Sequence, residues 1–465
     1  MTLENTPAGR LDEILAAQKD YFRTGATLDV AFRKQQLRTL QGALEAHEQD
    51  LLDALWTDLH KSEEEAFLTE MSLVRGEVRD ALSHVARWAR REKRRSPVTI
   101  FGSRSYVVKE PLGTALIVSP WNYPVQLLFS PLVGAIAAGC TAVLKPSPYV
   151  PNVSLAIERM IRSAFEERYI AVAQGNREVN RHLFSQKYDL IFFTGSPALA
   201  RTVAAAAAPN LTPLVLELGG KSPCIIGPDA NIALAAKRIA WGKTLNAGQT
   251  CIAPDYILIH PDVKEAFIAA YGAAVQGLHG EEIREDRHYV RMVSDKAFDR
   301  VSGYLQEGTV RYGGRTDAAE RFIEPTLLDE VAPGADVLST EIFGPVLPLV
   351  TLDAPERSFP DQVVDYVVSR EKPLALYYFG KESEGWDIVR RTSSGGCCLN
   401  DTIMHVVNPH VPFGGVGNSG MGSYHSRKSF AAFTHERAVV ASPTRFDLPF
   451  RYMPYRFFKL IRKML

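Results

Sequence analysis

Cysteine is scarce in this chain of 465 residues: there are five, Cys140, Cys224, Cys251, Cys397 and Cys398. Their number is odd, no CxxC pair occurs and no Cys/His cluster has ligand spacing, which argues against a disulfide scaffold and against a metal site. A reducing, cytoplasmic setting is the expectation. Net charge is missing too. Lys plus Arg and Asp plus Glu stand at 53 each, so no basic excess draws the chain to nucleic acid. Met1-Thr2-Leu3-Glu4-Asn5 has neither a basic start nor an apolar core, and no secretory signal is expected. Long apolar runs are absent with one exception: Val125 to Leu144 is uncharged and has about the ~20 residues that span a bilayer. Pro131 and the Gly139-Cys140 break divide it into a buried helix and a short strand, so no integral membrane span is expected.

What is present is ordinary globular composition, 46% hydrophobic and 23% charged, in a chain long enough for two or three domains. Apolar residues recur at helical spacing from Leu11 to Arg90, for example Leu51, Leu52, Leu55 and Trp56, and predict packed helices. Arg90-Arg91-Glu92-Lys93-Arg94-Arg95 reads as a solvated helix end, where cations suit the macrodipole. Thr99-Ile100-Phe101 and Tyr106-Val107-Val108 flank Gly102-Ser103 and predict a hairpin that joins subunits. From Gly113 short apolar strands alternate with helices: Ala115 to Val118, Thr141 to Leu144, Ile170 to Val172 and Leu190 to Phe193. This βαβ alternation predicts an α/β fold with a mostly parallel sheet that takes a nucleotide cofactor at its strand ends. A second alternation, from Leu214-Val215-Leu216 and Pro223 to Ile226 through the helical run Ile232 to Thr244, extends to about Asn400 and predicts a second α/β domain, with the boundary near Glu217.

Chemistry concentrates in a few polar and glycine-containing clusters. In Asn246-Ala247-Gly248-Gln249-Thr250-Cys251-Ile252-Ala253-Pro254, Gly248 and Pro254 favour a loop that presents a lone thiol. A thiol near its ordinary pKa of ~8.5 needs donors or a base to act as a nucleophile. In Ser119-Pro120-Trp121-Asn122-Tyr123-Pro124 the prolines fix where the Asn122 amide points, as an oxyanion donor or as a turn residue. Lys145 follows a strand and either faces a nucleotide crevice or lies on the surface. Thr194-Gly195-Ser196-Pro197 opens a helix that either receives a phosphate or is capped by Ser196. Glu217, between two leucines and before Gly219-Gly220, is a candidate general base if burial raises its pKa; the alternative is a structural Glu paired to Lys221. Glu341-Ile342-Phe343-Gly344-Pro345 follows later. Gly415, Gly417 and Gly420 match GxGxxG, but a Pro-Phe loop precedes them and no βαβ unit follows, so they read as a flexible closing loop.

In this order, from Pro120 to Ser429, the clusters closely resemble the NAD(P)-dependent aldehyde dehydrogenase superfamily. Gly417-Asn418-Ser419-Gly420-Met421-Gly422-Ser423-Tyr424-His425 and the short amino terminus are most similar to the class 3 and fatty-aldehyde branch. The resemblance implies a Rossmann-like cofactor domain and a catalytic domain with a small β oligomerisation extension. The chain then divides into a helical start (1–98), the hairpin (99–110), the cofactor domain (111–216), the catalytic domain (217–402), a closing and oligomerisation segment (403–446) and a basic aromatic tail (447–465). It implies Cys251 as nucleophile, Asn122 and the Cys251 N–H as oxyanion donors and Glu217 as the base that activates water. Lys145, Gly195, Ser196, Glu341, Phe343 and Trp121 would hold the cofactor, and Tyr123 and Thr250 would stand near the aldehyde entrance. The implied activity is oxidation of medium or long aliphatic, or aromatic, aldehydes; a CoA-acylating relative and a catalytically silent relative are the alternatives. Pro148 stands where many members carry a glutamate for the adenosine ribose, so NAD and NADP are both expected as cofactors. Ala200 replaces a frequent glycine, and Cys397-Cys398 reads as packing. A homodimer is expected. The tail Arg451 to Leu465, with five cations and no acid, is left between docking on a subunit and a weak peripheral contact with anionic lipid.

Overall fold

The computed structural model describes residues 3–448 and, beyond them, 451–455, 457–459 and 462; the rest of the tail expected to touch lipid or a subunit lies outside the described residues. Two sheets organise the chain. In the first, the strands run in the order Gly420–Met421, Leu214–Leu218, Leu190–Gly195, Thr114–Val118, Thr141–Lys145, Ile170–Val172. All neighbours are parallel except the short Gly420–Met421, which pairs antiparallel beside Glu217. In the second the order is Thr309–Tyr312, Thr326–Asp329, Val346–Thr351, Tyr256–Ile259, Pro223–Ile226, Ala375–Phe379, Gly396–Leu399. Only Thr309–Tyr312 is antiparallel there.

Both sheets are covered by helices, which is why their strands are apolar on both faces. Helices Val30–Ala46 and Ser72–Trp88 pack on Gln126–Ala138. That helix is apolar all round and wholly buried, Pro131 lies inside it without ending it, and Gly139 closes it with φ 95°. Gln126–Ala138 and Thr141–Lys145 are thus the helix and strand expected of the uncharged run; among the described residues no helix is long and apolar enough to cross a membrane.

The third, small sheet corrects the hairpin expected over 99–110. Val98–Ile100 is a 3-10 turn that follows Pro97, and the strand Arg104–Pro111 pairs instead with Glu92–Arg94 on one side and Thr434–Ala441 on the other. Proline supplies no N–H for a ladder and favours a turn start, while Glu92 forms ion pairs with Lys109 and Arg94 across and along the new strand. For the same reason the basic run 90–95 is not a helix end: the helix stops at Trp88 and residues 92–94 are strand. Gly417–Ser419, expected in a flexible loop, is a short 3-10 turn anchored by the pairing of Gly420 with Glu217.

Candidate active site

Parallel strands deliver their carboxy ends to one edge of the first sheet, and the residues that follow Val118, Gly195 and Leu218 meet there. Opposite them stand the loop after helix Ile232–Thr244 and the segment 334–343. Between lies a cleft of about 990 Å³ lined by Trp121, Asn122, Gly195, Ser196, Glu217, Gly219, Cys251, Arg300, Glu341 and Phe343 among others. Six of the residues read from the sequence as catalytic or cofactor-holding, Trp121, Gly195, Ser196, Glu217, Glu341 and Phe343, therefore share it with Asn122 and Cys251. Lys145, Tyr123 and Thr250 do not line it. Lys145 is buried at its strand end with Nζ donating to the Pro146 carbonyl at 2.8 Å, and burial pulls its pKa down to about 7. The Tyr123 and Thr250 hydroxyls bond each other at 2.7 Å, both residues buried.

The cysteine loop is unusual backbone. Asn246 (φ 50°, ψ 31°), Ala247 (φ 51°, ψ 37°) and Gly248 (φ 71°) are consecutive left-handed residues. Non-glycine residues there cost of order 1–2 kcal/mol each, so surrounding bonds must hold them. Gln249, fully buried, donates to the carbonyls of Asn246 and Arg291 and accepts from Val293 N–H, at 3.0 to 3.1 Å. Asn246 Nδ2 donates to the Asn122 and Gln249 carbonyls. The Asn122 Nδ2 reaches the same Gln249 carbonyl at 2.9 Å, leaving its second N–H free.

The electrostatics are dominated by two buried carboxyl groups, Glu217 and Glu341. Glu217 is buried and neither of its oxygens has a partner; burial holds its pKa well above the carboxylate range. Lys221 does not pair with it: its ammonium bonds Asp255 and the carbonyls of Val337 and Thr340, which disposes of the structural Glu217–Lys221 pair. Glu341 accepts one bond, from Gly220 N–H at 3.2 Å, and burial and Asp255 raise it to about 8. Burial, then Glu341, then Glu217 push the Cys251 thiol up to about 12, against the backbone N–H groups of Cys251 and Ile252. The resting nucleophile candidate is a neutral thiol between two acids.

The site also fits a dinucleotide. Ser196 Oγ accepts from Leu199 N–H at 3.3 Å and caps helix Pro197–Ala207, whose amino terminus opens on the cleft beside Arg201. Trp121 and Phe343 meet edge to face at 5.4 Å, with Phe343 itself left-handed at φ 50°. A Cβ on Gly219 would overlap the Glu341 carboxylate, so only glycine lets that carboxylate reach its place.

A profile of the Aldehyde dehydrogenase family matches residues 2–439. The chain belongs to the aldehyde dehydrogenase family. It is 42% identical over 441 residues, 94% of this chain and 95% of the relative, to the 4,4'-diaponeurosporen-aldehyde dehydrogenase of Staphylococcus aureus. To the canine (Canis lupus familiaris) aldehyde dehydrogenase called dimeric and NADP-preferring it is 39% identical over 448 residues, 96% and 98% of the two chains. A substrate-bound structure of Staphylococcus aureus AldH superposes with a TM-score of 0.95 at 41% identity, covering 98% and 99%. This aldehyde dehydrogenase oxidises aldehydes to carboxylic acids with NAD(P).

Several residues in and beneath the cleft were not singled out from the sequence. Arg300 lines the cleft and donates to the Ile342 carbonyl at 2.9 Å, and Asp255 accepts from Ile342 N–H at 3.0 Å, so both brace the segment that carries Glu341 and Phe343. Lys61, Glu65 and Glu70 lie beneath the cysteine loop. Their one sequence signal is charge on an otherwise apolar helical face between Leu59 and Val74. The paired Cys397 and Cys398 are free, on opposite faces of one strand, with Cys398 Sγ 3.4 Å from His405 Nδ1.

Proposed function

We propose that the oxidation runs through a covalent intermediate on Cys251, with medium or long aliphatic, or aromatic, aldehydes as substrates. The observation that carries this reading is the meeting of one partly buried thiol, one buried unpartnered carboxylate and one side-chain amide in a single cleft. When Glu217 is ionised it is a strong base, because burial leaves its charge unsolvated, and it takes the thiol proton. The Cys251 sulfur then adds to the aldehyde carbon. The free Asn122 N–H and the Cys251 backbone N–H hold the oxygen that gains charge. Bound NAD(P)+ supplies the acceptor for the hydride that leaves the thiohemiacetal carbon. What remains is a thioester on Cys251. After releasing the thiol proton to solvent, Glu217 removes a proton from water, the water oxygen attacks the thioester carbonyl, and Cys251 leaves as a thiolate that takes that proton back from Glu217 as the acid forms. Glu341 would bond the nicotinamide ribose, Phe343 and Trp121 would pack by the ring, and Gly195, Ser196 and Lys145 would hold the pyrophosphate and adenosine-ribose side. Trp121, Leu127 and Leu218 on the cleft wall support an apolar aldehyde. Tyr123 and Thr250 would shape its entrance from behind that wall.

A homodimer is part of the same reading, supported by Thr434–Ala441, an eight-residue edge strand exposed along nearly its whole length. Sedimentation velocity tests it, and a monomer at micromolar protein refutes it. The chemistry is tested by following NAD(P)H absorbance with a panel of aldehydes, with and without CoA. A Cys251→Ala variant that oxidised aldehydes at the parent rate would remove the nucleophile from the reading, and a rate that required CoA would replace water as the acyl acceptor.

A further inference from the structure

The polypeptide between Lys61 and Glu70 lies under the site without touching the cleft. It begins as the short helix Glu63–Ala66 and passes into a π turn, Phe67–Met71, before helix Ser72–Trp88. The Ser72 N–H donates to the Phe67 carbonyl, five residues back. One additional residue per turn rotates the side chains that follow, and such turns recur at functional sites. Here the rotation turns Glu70 inward, where it is fully buried, as is Lys61.

Lys61 has three N–H protons and three partners. Its Nζ donates to Glu70 Oε1 at 2.7 Å and to the Asn122 backbone carbonyl at 3.0 Å, and it lies 4.2 Å from the centroid of the Tyr123 ring. The other Glu70 oxygen accepts from the N–H groups of Val125 and Gln126, at 2.8 and 3.3 Å, where helix Gln126–Ala138 begins. Four residues after Lys61, Glu65 accepts from Asn246 N–H at 2.9 Å. One short segment therefore grips both the Asn122 turn and the first left-handed residue of the cysteine loop.

We propose that Lys61, held by Glu70, is a positioning residue for the reaction: it fixes the Asn122 carbonyl and through it the direction of the Asn122 amide. The proposal rests on the reading of Asn122 as an oxyanion donor. A carbonyl held by two donors, Lys61 Nζ and Asn246 Nδ2, cannot turn about the bonds of its peptide plane. Pro120 and Pro124 restrict the chain on either side. With the plane fixed and one amide proton committed to the Gln249 carbonyl, the second amide proton has one direction left. Without Lys61 the Asn122 carbonyl keeps a single side-chain donor, on a loop that is itself strained. Buried ion pairs contribute little to net stability compared with well-packed apolar residues, so a stabilising role alone gives weak reason for an ammonium here.

The test is a mutant cycle on the full-length enzyme with saturating cofactor. Lys61→Met is combined with Glu70→Gln, which removes both charges and keeps an acceptor for Val125 N–H, and the pair is compared in the parent and in Asn122→Ala. In the parent, kcat is expected to fall by roughly 10 to 100-fold, the loss that small misplacement of a catalytic group produces, while the fluorescence-measured NAD(P)+ Kd stays within about twofold. In Asn122→Ala the same pair is expected to change kcat by no more than about twofold, because the group it positions is gone. Equal losses in both backgrounds, or an unchanged kcat in the parent, overturn the proposal. If Asn122→Ala itself leaves kcat intact, the oxyanion reading falls instead. Where the double variant does not fold, Glu70→Gln alone, which removes the carboxylate that holds Lys61, is carried through the same cycle and read by the same criterion.

Discussion

The protonation of Cys251 in the cofactor-free enzyme can be tested directly, because its reactivity follows from its burial and from the charges around it. With the thiol at about 12, roughly one molecule in 30,000 carries a thiolate at about pH 7.5, against about one in ten for an unperturbed thiol. Thiolate nucleophilicity rises with basicity, with a Brønsted slope of about 0.4 to 0.5, which returns roughly 40-fold of that deficit. Alkylation of Cys251 by iodoacetamide is therefore expected about 10²-fold slower than that of a free thiol at the same pH. The rate should climb with pH and show no plateau below about pH 10. Quantifying the Cys251 peptide by mass spectrometry separates it from Cys140, Cys224 and Cys398, which are buried, and from Cys397. Glu341→Gln adds a signed control. Glu341 titrates at about 8, so it is mostly neutral below that pH and repels the thiolate above it. The variant should match the parent in acid and outpace it increasingly as pH rises through 8. A plateau reached near neutrality, or a Glu341→Gln ratio that stays flat, would refute this account of the charges.

Glu217→Gln keeps the shape of the acid without its base. A first turnover of NAD(P)H is expected to slow, because the thiol loses its proton acceptor, yet to remain measurable while steady-state kcat falls by roughly 10² to 10⁴-fold, and an intact steady state would exclude Glu217 from hydrolysis. Lys145 is depressed from 10.5 to about 7 by burial, so the unfolded chain holds its proton to higher pH than the folded one and stability rises between pH 7 and 10.5. Lys145→Met is expected to flatten that slope in chemical denaturation, gain of order a few kcal/mol near neutral pH and weaken NAD(P)+ binding; an unchanged pH slope contradicts the burial argument. Ala247→Gly relieves a left-handed alanine at φ 51°, a gain of ~1–2 kcal/mol, but loses ~1 kcal/mol of methyl burial and ~0.5–1 kcal/mol to the freer unfolded chain. The melting temperature is expected to move little while kcat falls, and a large drop in melting temperature with kcat unchanged would mean that the strain serves nothing in the site.

Much of the site is legible in the sequence because each functional group sits at a strand end or tight turn marked by proline or glycine. Asn122 lies between Pro120 and Pro124, Glu217 before Gly219-Gly220, and Cys251 after Gly248. The βαβ alternation likewise announces two sheets before any contact is known. The small sheet is different. Arg104–Pro111 pairs with Thr434–Ala441, more than 300 residues away in sequence, and no local preference of Thr99-Ile100-Phe101 competes with that ladder plus Pro97. Equally hidden are Asn246 and Ala247, since nothing about an alanine predicts a left-handed backbone. Tertiary bonds impose it. Lys61 and Glu70 escape notice because a charge within a helical pattern reads as solvent-facing until a π turn rotates it inward.

Strain and charge in the cysteine loop have one physical reason. A neutral thiol flanked by two buried acids is a poor resting nucleophile, and a loop with two left-handed non-glycine residues is a poor resting backbone. Neither would persist unless neighbouring structure over-determined it. That structure is on the page: Gln249 donates to Asn246 within the loop and to the Arg291 carbonyl and accepts from Val293 N–H, Asn246 gives two bonds through its amide and a third from its N–H, and Asp255 ties the Glu341 segment to Lys221. Gln249, Asn246 and Asp255 do not line the cleft, and the groups that do keep hydrogen-bonding capacity free. Glu217 has two unbonded oxygens and Asn122 one uncommitted N–H. Buried polar atoms normally do not stay unpaired, and in the mechanism we propose the bonds these lack are the ones that form to substrate, water and oxyanion during turnover.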